Sequence, residues 1–110
     1  MEDCIFCRIV EGQLPATILH RTDDAVAFAD RTPQAPTHVL VVPVRHCNGF
    51  QDLDPAEGTG LILTIQQTAR LLRVEEAYRL VTNQGAGAGQ SVFHLHFHLL
   101  AGRAMQWPPG

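Results

Sequence analysis

The chain has no lysine: all eight of its basic residues are arginine, set against 11 acidic residues and a net charge of -3. Without a basic excess, a broad nucleic-acid surface is not expected. A local phosphate site needs no global positive charge, and arginine pairs well with phosphate. No apolar run reaches the ~18 residues that a membrane-spanning helix needs, so no membrane partner is expected either. The opening Met1-Glu2-Asp3-Cys4 has neither a charged n-region nor an apolar h-region, which points to the cytoplasm. Three cysteines, an odd number, do not make a disulfide framework. Charged residues make up only 17% and hydrophobic ones 45%, a balance that excludes a disordered chain. At 110 residues a single domain spanning 1–110 is expected.

What is present orders itself into short elements. Cys4 to Val10 has a helical rhythm of apolar residues stopped by Gly12. Ile18 to Arg21 and Ala25 to Ala29 read as strands joined by Thr22-Asp23-Asp24. Asp30 to Thr37 holds two prolines and is a loop, and His38 to Pro43 is apolar enough for a central strand. Asp54-Pro55-Ala56-Glu57 starts a helix, with Asp at N-cap, Pro at N1 and Glu at N3. That helix should run to about Leu72, burying Leu61, Ile62, Ile65, Thr68, Ala69 and Leu72. Tyr78 to Thr82 is a further strand, followed by the glycine-rich loop Gln84 to Gln90. Hairpin-length connections favour an α+β fold with an antiparallel sheet.

The chemistry concentrates in His94-Leu95-His96-Phe97-His98-Leu99-Leu100. Its period of two is that of a strand, which would place the three histidines on one face and Phe93, Leu95, Phe97 and Leu99 on the other. Next-nearest residues on a strand lie roughly 6.5–7 Å apart, so one small ligand could touch all three imidazoles. Such a row can bind a transition metal, or one ring can act as a nucleophile on phosphorus while its neighbours hold phosphate oxygens. The loop Gly85 to Ser91, directly before it, lets backbone N–H groups and the Ser91 hydroxyl approach an anion. Asp30, in the proline-bounded loop, could accept hydrogen bonds from ribose hydroxyls, although a turn Asp is usually only that. Cys4-Ile5-Phe6-Cys7 is a Cys-x-x-Cys pair which, with His46 and His94, could complete a Cys2His2 zinc site.

These residues together resemble the histidine-triad (HIT) family, whose signature is His-φ-His-φ-His-φ-φ with φ apolar. The resemblance is closest to the Hint branch of nucleoside phosphoramidate hydrolases. It rests on Ile5-Phe6, Asp30, Pro33 to His38, Pro43, His46, Asn83, Gly89-Gln90-Ser91, the triad, Gly102-Arg103 and the tail Trp107-Pro108-Pro109-Gly110.

The resemblance implies a HIT-like fold: a five-stranded antiparallel sheet with one long and one short helix, the sheets of two copies joined across a homodimer. It implies hydrolysis of adenosine or other purine nucleoside 5′-phosphoramidates to the nucleoside monophosphate, with no cofactor needed for catalysis. His96 would be the nucleophile and form a nucleotidyl-histidine; His98 and Ser91 would hold phosphate oxygens, and His38 would sit behind the nucleophile. Asn83, Gly89 and Gln90 would line the phosphate and leaving-group side. Asp30 would bind ribose beside Arg31, with Ile5, Phe6, Ile9 and Phe28 near the base. Trp107 would reach the partner's site and help choose the leaving group. Some bacterial members bind structural zinc where this chain has Cys4, Cys7, His46 and His94. Ala88 stands where the Hint branch usually has a second glycine, so a need for positive φ there would force the loop to rearrange. Three other readings stay open: a dinucleoside polyphosphate hydrolase of the same superfamily, a nucleotide-binding scaffold, and a hydrolase using all three histidines as zinc ligands.

Overall fold

The computed structural model describes residues 3–110. A short helix, α1 (Ile5–Val10), leads into β1 (Ile18–Arg21), β2 (Ala25–Ala29) and β3 (Thr37–Pro43). The long helix α2 (Pro55–Leu71) follows, then β4 (Arg79–Val81) and β5 (Phe97–Ala101), with short 3-10 turns at Phe50–Asp52 and Ala86–Ala88. The five strands form one antiparallel sheet in the order β1-β2-β3-β5-β4. This is the expected α+β fold with one short and one long helix.

Strand periodicity explains the layers. In β2 and β3, Ala25, Ala27, Val39 and Val41 face one side and join Leu61, Ile65 and Ala69 of α2 and Leu99 of β5. Their neighbours Val26, Phe28, Leu40 and Val42 face the other side and pack against Phe6 and Val10 of α1. The central strands are covered on both faces, so they read as continuous apolar runs. Small Ala25 and Ala27 let α2 approach closely. The Asp54 carboxylate caps α2 by accepting from the Ala56 N–H (3.0 Å), the expected start.

Two details of α2 and β4 differ from the sequence reading. Ile62 is exposed, and Thr64 is buried in its place. The Thr64 hydroxyl donates to the Gly60 carbonyl (2.8 Å) and meets the Thr22 hydroxyl (2.8 Å), so a polar side chain occupies the core stripe with its hydrogen bonds made. The strand expected over 78–82 is shorter, Arg79–Val81.

Candidate active site

The histidine segment is not a single strand. β5 begins at Phe97, so only His98 of the triad lies on it, and the row of three imidazoles on one face is corrected. The cause is Pro43, at the end of β3. It has no N–H to extend the ladder, and its carbonyl is taken by the His94 ring, Nε2 to O 2.9 Å. The Leu95 N–H donates instead to the Cys47 carbonyl (2.8 Å). Leu95 and Leu99 still enter the core with Phe97 against it, whereas Phe93 is exposed. The bend turns His94 away from His96 and His98, whose rings remain neighbours at 5.2 Å between centroids.

Hydrogen-bond partners fix the tautomer of each ring. His96 Nδ1 lies 2.8 Å from the His94 carbonyl, an acceptor only, so Nδ1 carries the proton and Nε2 keeps its lone pair. The Gln34 backbone N–H donates to His38 Nδ1 (2.9 Å), so the proton of His38 sits on Nε2. That Nε2 faces His98 Nδ1 at 2.9 Å and the Asp30 carboxylate (Oδ2) at 3.3 Å. Donating to His98 Nδ1, it leaves the His98 proton on Nε2. The triad therefore offers a bare Nε2 on His96 and an Nε2–H donor on His98. Burial lowers the pKa of both His38 and His98 below the ordinary imidazole value, which keeps them neutral as this arrangement requires. His38 pairs with His98 and not with His96, behind which the resemblance places it; the His96 ring is held by main chain and by a T-shaped contact with Phe6, 5.1 Å between centroids.

Both rings border a cavity of about 650 Å³ between α1 and the sheet. Ile5, Phe6, Ile9, Phe28, Asp30, Arg31 and Ser91 line it as well, so the structure brings together most of the residues singled out for a nucleotide. Leu14, Pro15, Ala16, Thr17, Leu40 and Val92 complete its wall. Sequence reasoning missed these positions because nothing in their spacing distinguishes wall from core. A smaller cavity of about 350 Å³ shares Ile5, Ser91 and Val92 and extends past Cys4, His46, Asn48 and Phe93.

Asn83, Gly89, Gln90 and His38 are not on the larger cavity's wall. Gln90 is buried; its Oε1 accepts from the Gly85 N–H (2.8 Å), and its amide donates to the carbonyls of Val92 (3.1 Å) and Asn48. It braces the glycine-rich loop. Gly85 and Gly89 take the positive φ values of that loop, +86° and +98°, which favour glycine. Ala88 lies in the 3-10 turn without positive φ, so the loop needs no rearrangement. Trp107 is 82% exposed.

Two supporting residues carried no sequence signal for their role. Arg103 Nε donates to the Gln34 carbonyl (2.8 Å), which holds the loop that fixes His38. Gly102, at φ +95°, lies against Pro36, where an added Cβ would meet the ring at 2.9 Å.

A second cluster joins Cys4, Cys7, His46 and His94, with donor atoms all within 4.8 Å of one another. His94 Nδ1 lies 3.4 Å from both thiols, and His46 Nδ1 lies 3.3 Å from Cys7 Sγ. The outer nitrogens are committed: His94 Nε2 to the Pro43 carbonyl and His46 Nε2 to Asn48 Oδ1 (3.0 Å). Both Nδ1 lone pairs therefore point inward, with the outer hydrogen bonds typical of metal-ligating histidines. Ordinary Zn–S and Zn–N bond lengths at tetrahedral angles separate S and N by about 3.5 Å, close to these contacts, so the residues fit zinc. Burial, then the neighbouring Cys4, push the Cys7 thiol up, and burial lowers His94 to about 4. A bound cation favours deprotonated thiols and neutral imidazoles alike. Among the described residues, His94 and His98 belong to different clusters, and the reading of one ion held by all three triad histidines is set aside.

A family model described as the HIT domain matches residues 11–105. The chain is 41% identical to an uncharacterized HIT-like protein of Synechocystis sp., covering 99% of this chain and 98% of that one. A HIT family hydrolase from Legionella pneumophila superposes with a TM-score of 0.92 at 39% identity, covering 98% of this chain and 100% of the other. A histidine triad nucleotide-binding protein from Candida albicans superposes at 0.85 with 28% identity, covering 96% and 83%.

Proposed function

The chain belongs to the HIT domain family, and from that premise we propose that it hydrolyses purine nucleoside 5′-phosphoramidates to the nucleoside monophosphate and an amine. One observation carries the reading: a bare His96 Nε2 and an Nε2–H of His98 border one cavity large enough for a nucleotide. His96 Nε2 attacks the α-phosphorus while the bond from phosphorus to the amine nitrogen breaks; the amine takes a proton from solvent as it leaves, and the water that attacks in the second step returns one. The phosphorus–imidazole bond is then cleaved by water, regenerating His96. His98 and Ser91 hold the phosphate oxygens, supplying position and charge stabilisation. Asp30 takes the ribose beside Arg31, the base lies among Ile5, Phe6, Ile9 and Phe28, and Asn83, Gly89 and Gln90 shape the leaving-group side from behind. No cofactor enters these steps.

A kinetic screen of adenosine and guanosine phosphoramidates with varied amines, set against diadenosine tri- and tetraphosphate, tests the reading. Faster turnover of the phosphoramidates is expected. Preference for the dinucleotides moves the chain to the polyphosphate branch, and no turnover of either leaves a nucleotide-binding scaffold.

The Cys4, Cys7, His46 and His94 cluster is assigned to a structural zinc ion, which would tie α1 to the segment before β5. Metal analysis of protein purified without chelator should give one zinc per chain. Homodimer formation belongs to the same proposal: β4 is an edge strand, and Leu80 on it and Ile62 and Leu63 on α2 are exposed. Trp107 would then reach the partner's site. Free thiols as metal ligands suit a reducing compartment such as the cytoplasm. No helix among the described residues is long and apolar enough to cross a membrane.

A further inference from the structure

Asp30 contacts more than the cavity. Its backbone N–H donates to the His38 carbonyl (3.0 Å), and its Oδ1 accepts the Thr32 N–H (2.8 Å). These bonds hold the second oxygen, Oδ2, 3.3 Å from His38 Nε2. The same Nε2 lies 2.9 Å from His98 Nδ1. His38 cannot carry a second ring proton, because its Nδ1 already accepts the Gln34 N–H. One hydrogen thus faces two acceptors, a carboxylate and a histidine ring.

We propose that Asp30 is a positioning residue that couples the sugar of the bound nucleotide to the orientation of His98. This rests on the nucleotide reading above and goes past ribose binding. In the free protein the carboxylate competes with His98 for the His38 proton. Ribose hydroxyls donating to Asp30 satisfy the carboxylate and leave that proton to His98 Nδ1. His98 is then held with its Nε2–H toward the cavity, ready for a phosphate oxygen. A sugar without hydroxyls leaves the competition in place, and the His98 ring, sharing the His38 proton with the carboxylate, is held less firmly toward the phosphate. Sugar recognition is therefore expressed in the chemical step as well as in binding.

The test compares an adenosine phosphoramidate with its 2′,3′-dideoxy counterpart on the wild type and on Asp30→Asn. For the wild type, kcat should fall at least about tenfold on losing the hydroxyls, the scale on which misplaced groups act. In Asp30→Asn, whose neutral amide competes weakly for the proton, the ratio of the two kcat values should approach one. A rise in KM with kcat unchanged would mean that the hydroxyls contribute uniform binding only, and would overturn the proposal. A second readout does not need turnover. The His38 ring 1H–15N signal, followed by NMR at saturating nucleotide, should move further with adenosine monophosphate than with 2′,3′-dideoxyadenosine monophosphate, and equally with both in Asp30→Asn. Equal movement in the wild type overturns the coupling. That difference in a protein inert toward phosphoramidates supports the coupling and sinks the phosphoramidase assignment instead. Failure of adenosine monophosphate to bind overturns both.

Discussion

At the scale of single residues, the site is a set of imidazoles told apart by what each inner nitrogen meets. His96→Ala should abolish turnover, a loss of several orders of magnitude, while adenosine monophosphate still binds; steady-state kinetics and calorimetry check the two halves. His38 and His98 both have pKa values lowered by burial. An unfolded histidine takes up a proton near pH 6.5, whereas these stay neutral in the fold until the pH is lower. The unfolded state binds more protons in that interval, so stability falls as the pH drops below about 6.5. Thermal melts between pH 7 and 5 should show a falling Tm, and His98→Gln should flatten the fall. Much of this was legible in the sequence, since His96, His98, Asp30 and Ser91 all border the cavity as the pattern suggested. The partner of His38 was not. A contact across 60 residues between β3 and β5 depends on sheet register, with Leu40 opposite His98, and spacing does not reveal register.

At the scale of elements, the boundaries of β1 and β2 and the N-terminus of α2 follow directly from turn residues and the Asp54-Pro55 cap. The triad segment did not, because alternation survives in sequence where Pro43 ends the pairing. Helix α1 has only six residues, too few to be stable alone, and its Ile5, Phe6 and Ile9 wall the cavity. Cys7→Ser should therefore lower zinc content to a small fraction, speed amide exchange in residues 5–10 and weaken adenosine monophosphate binding several-fold. Metal analysis, hydrogen exchange and titration follow these in turn. Gly102→Ala should cost about 1–3 kcal/mol in denaturant unfolding, since a side chain at positive φ is strained and its Cβ would meet Pro36. It should also disturb the Gln34 loop that fixes the His38 tautomer.

At the scale of the whole molecule, two apolar faces end in solvent, one at the β4 edge and one along α2. Leu80→Glu should convert the proposed dimer to monomer in sedimentation and, with Trp107 assigned by that proposal to the partner's site, should alter the preference among amine leaving groups. Which faces remain open becomes visible once Ile62 is seen to lie outside the core. The two clusters meet at His94, whose ring faces the thiols and whose carbonyl accepts from His96 Nδ1. Every amino acid has that carbonyl. Mutation can strip position 94 of its imidazole and still leave the His96 tautomer intact, so losing the proposed metal ligand and losing the proposed nucleophile are separable events.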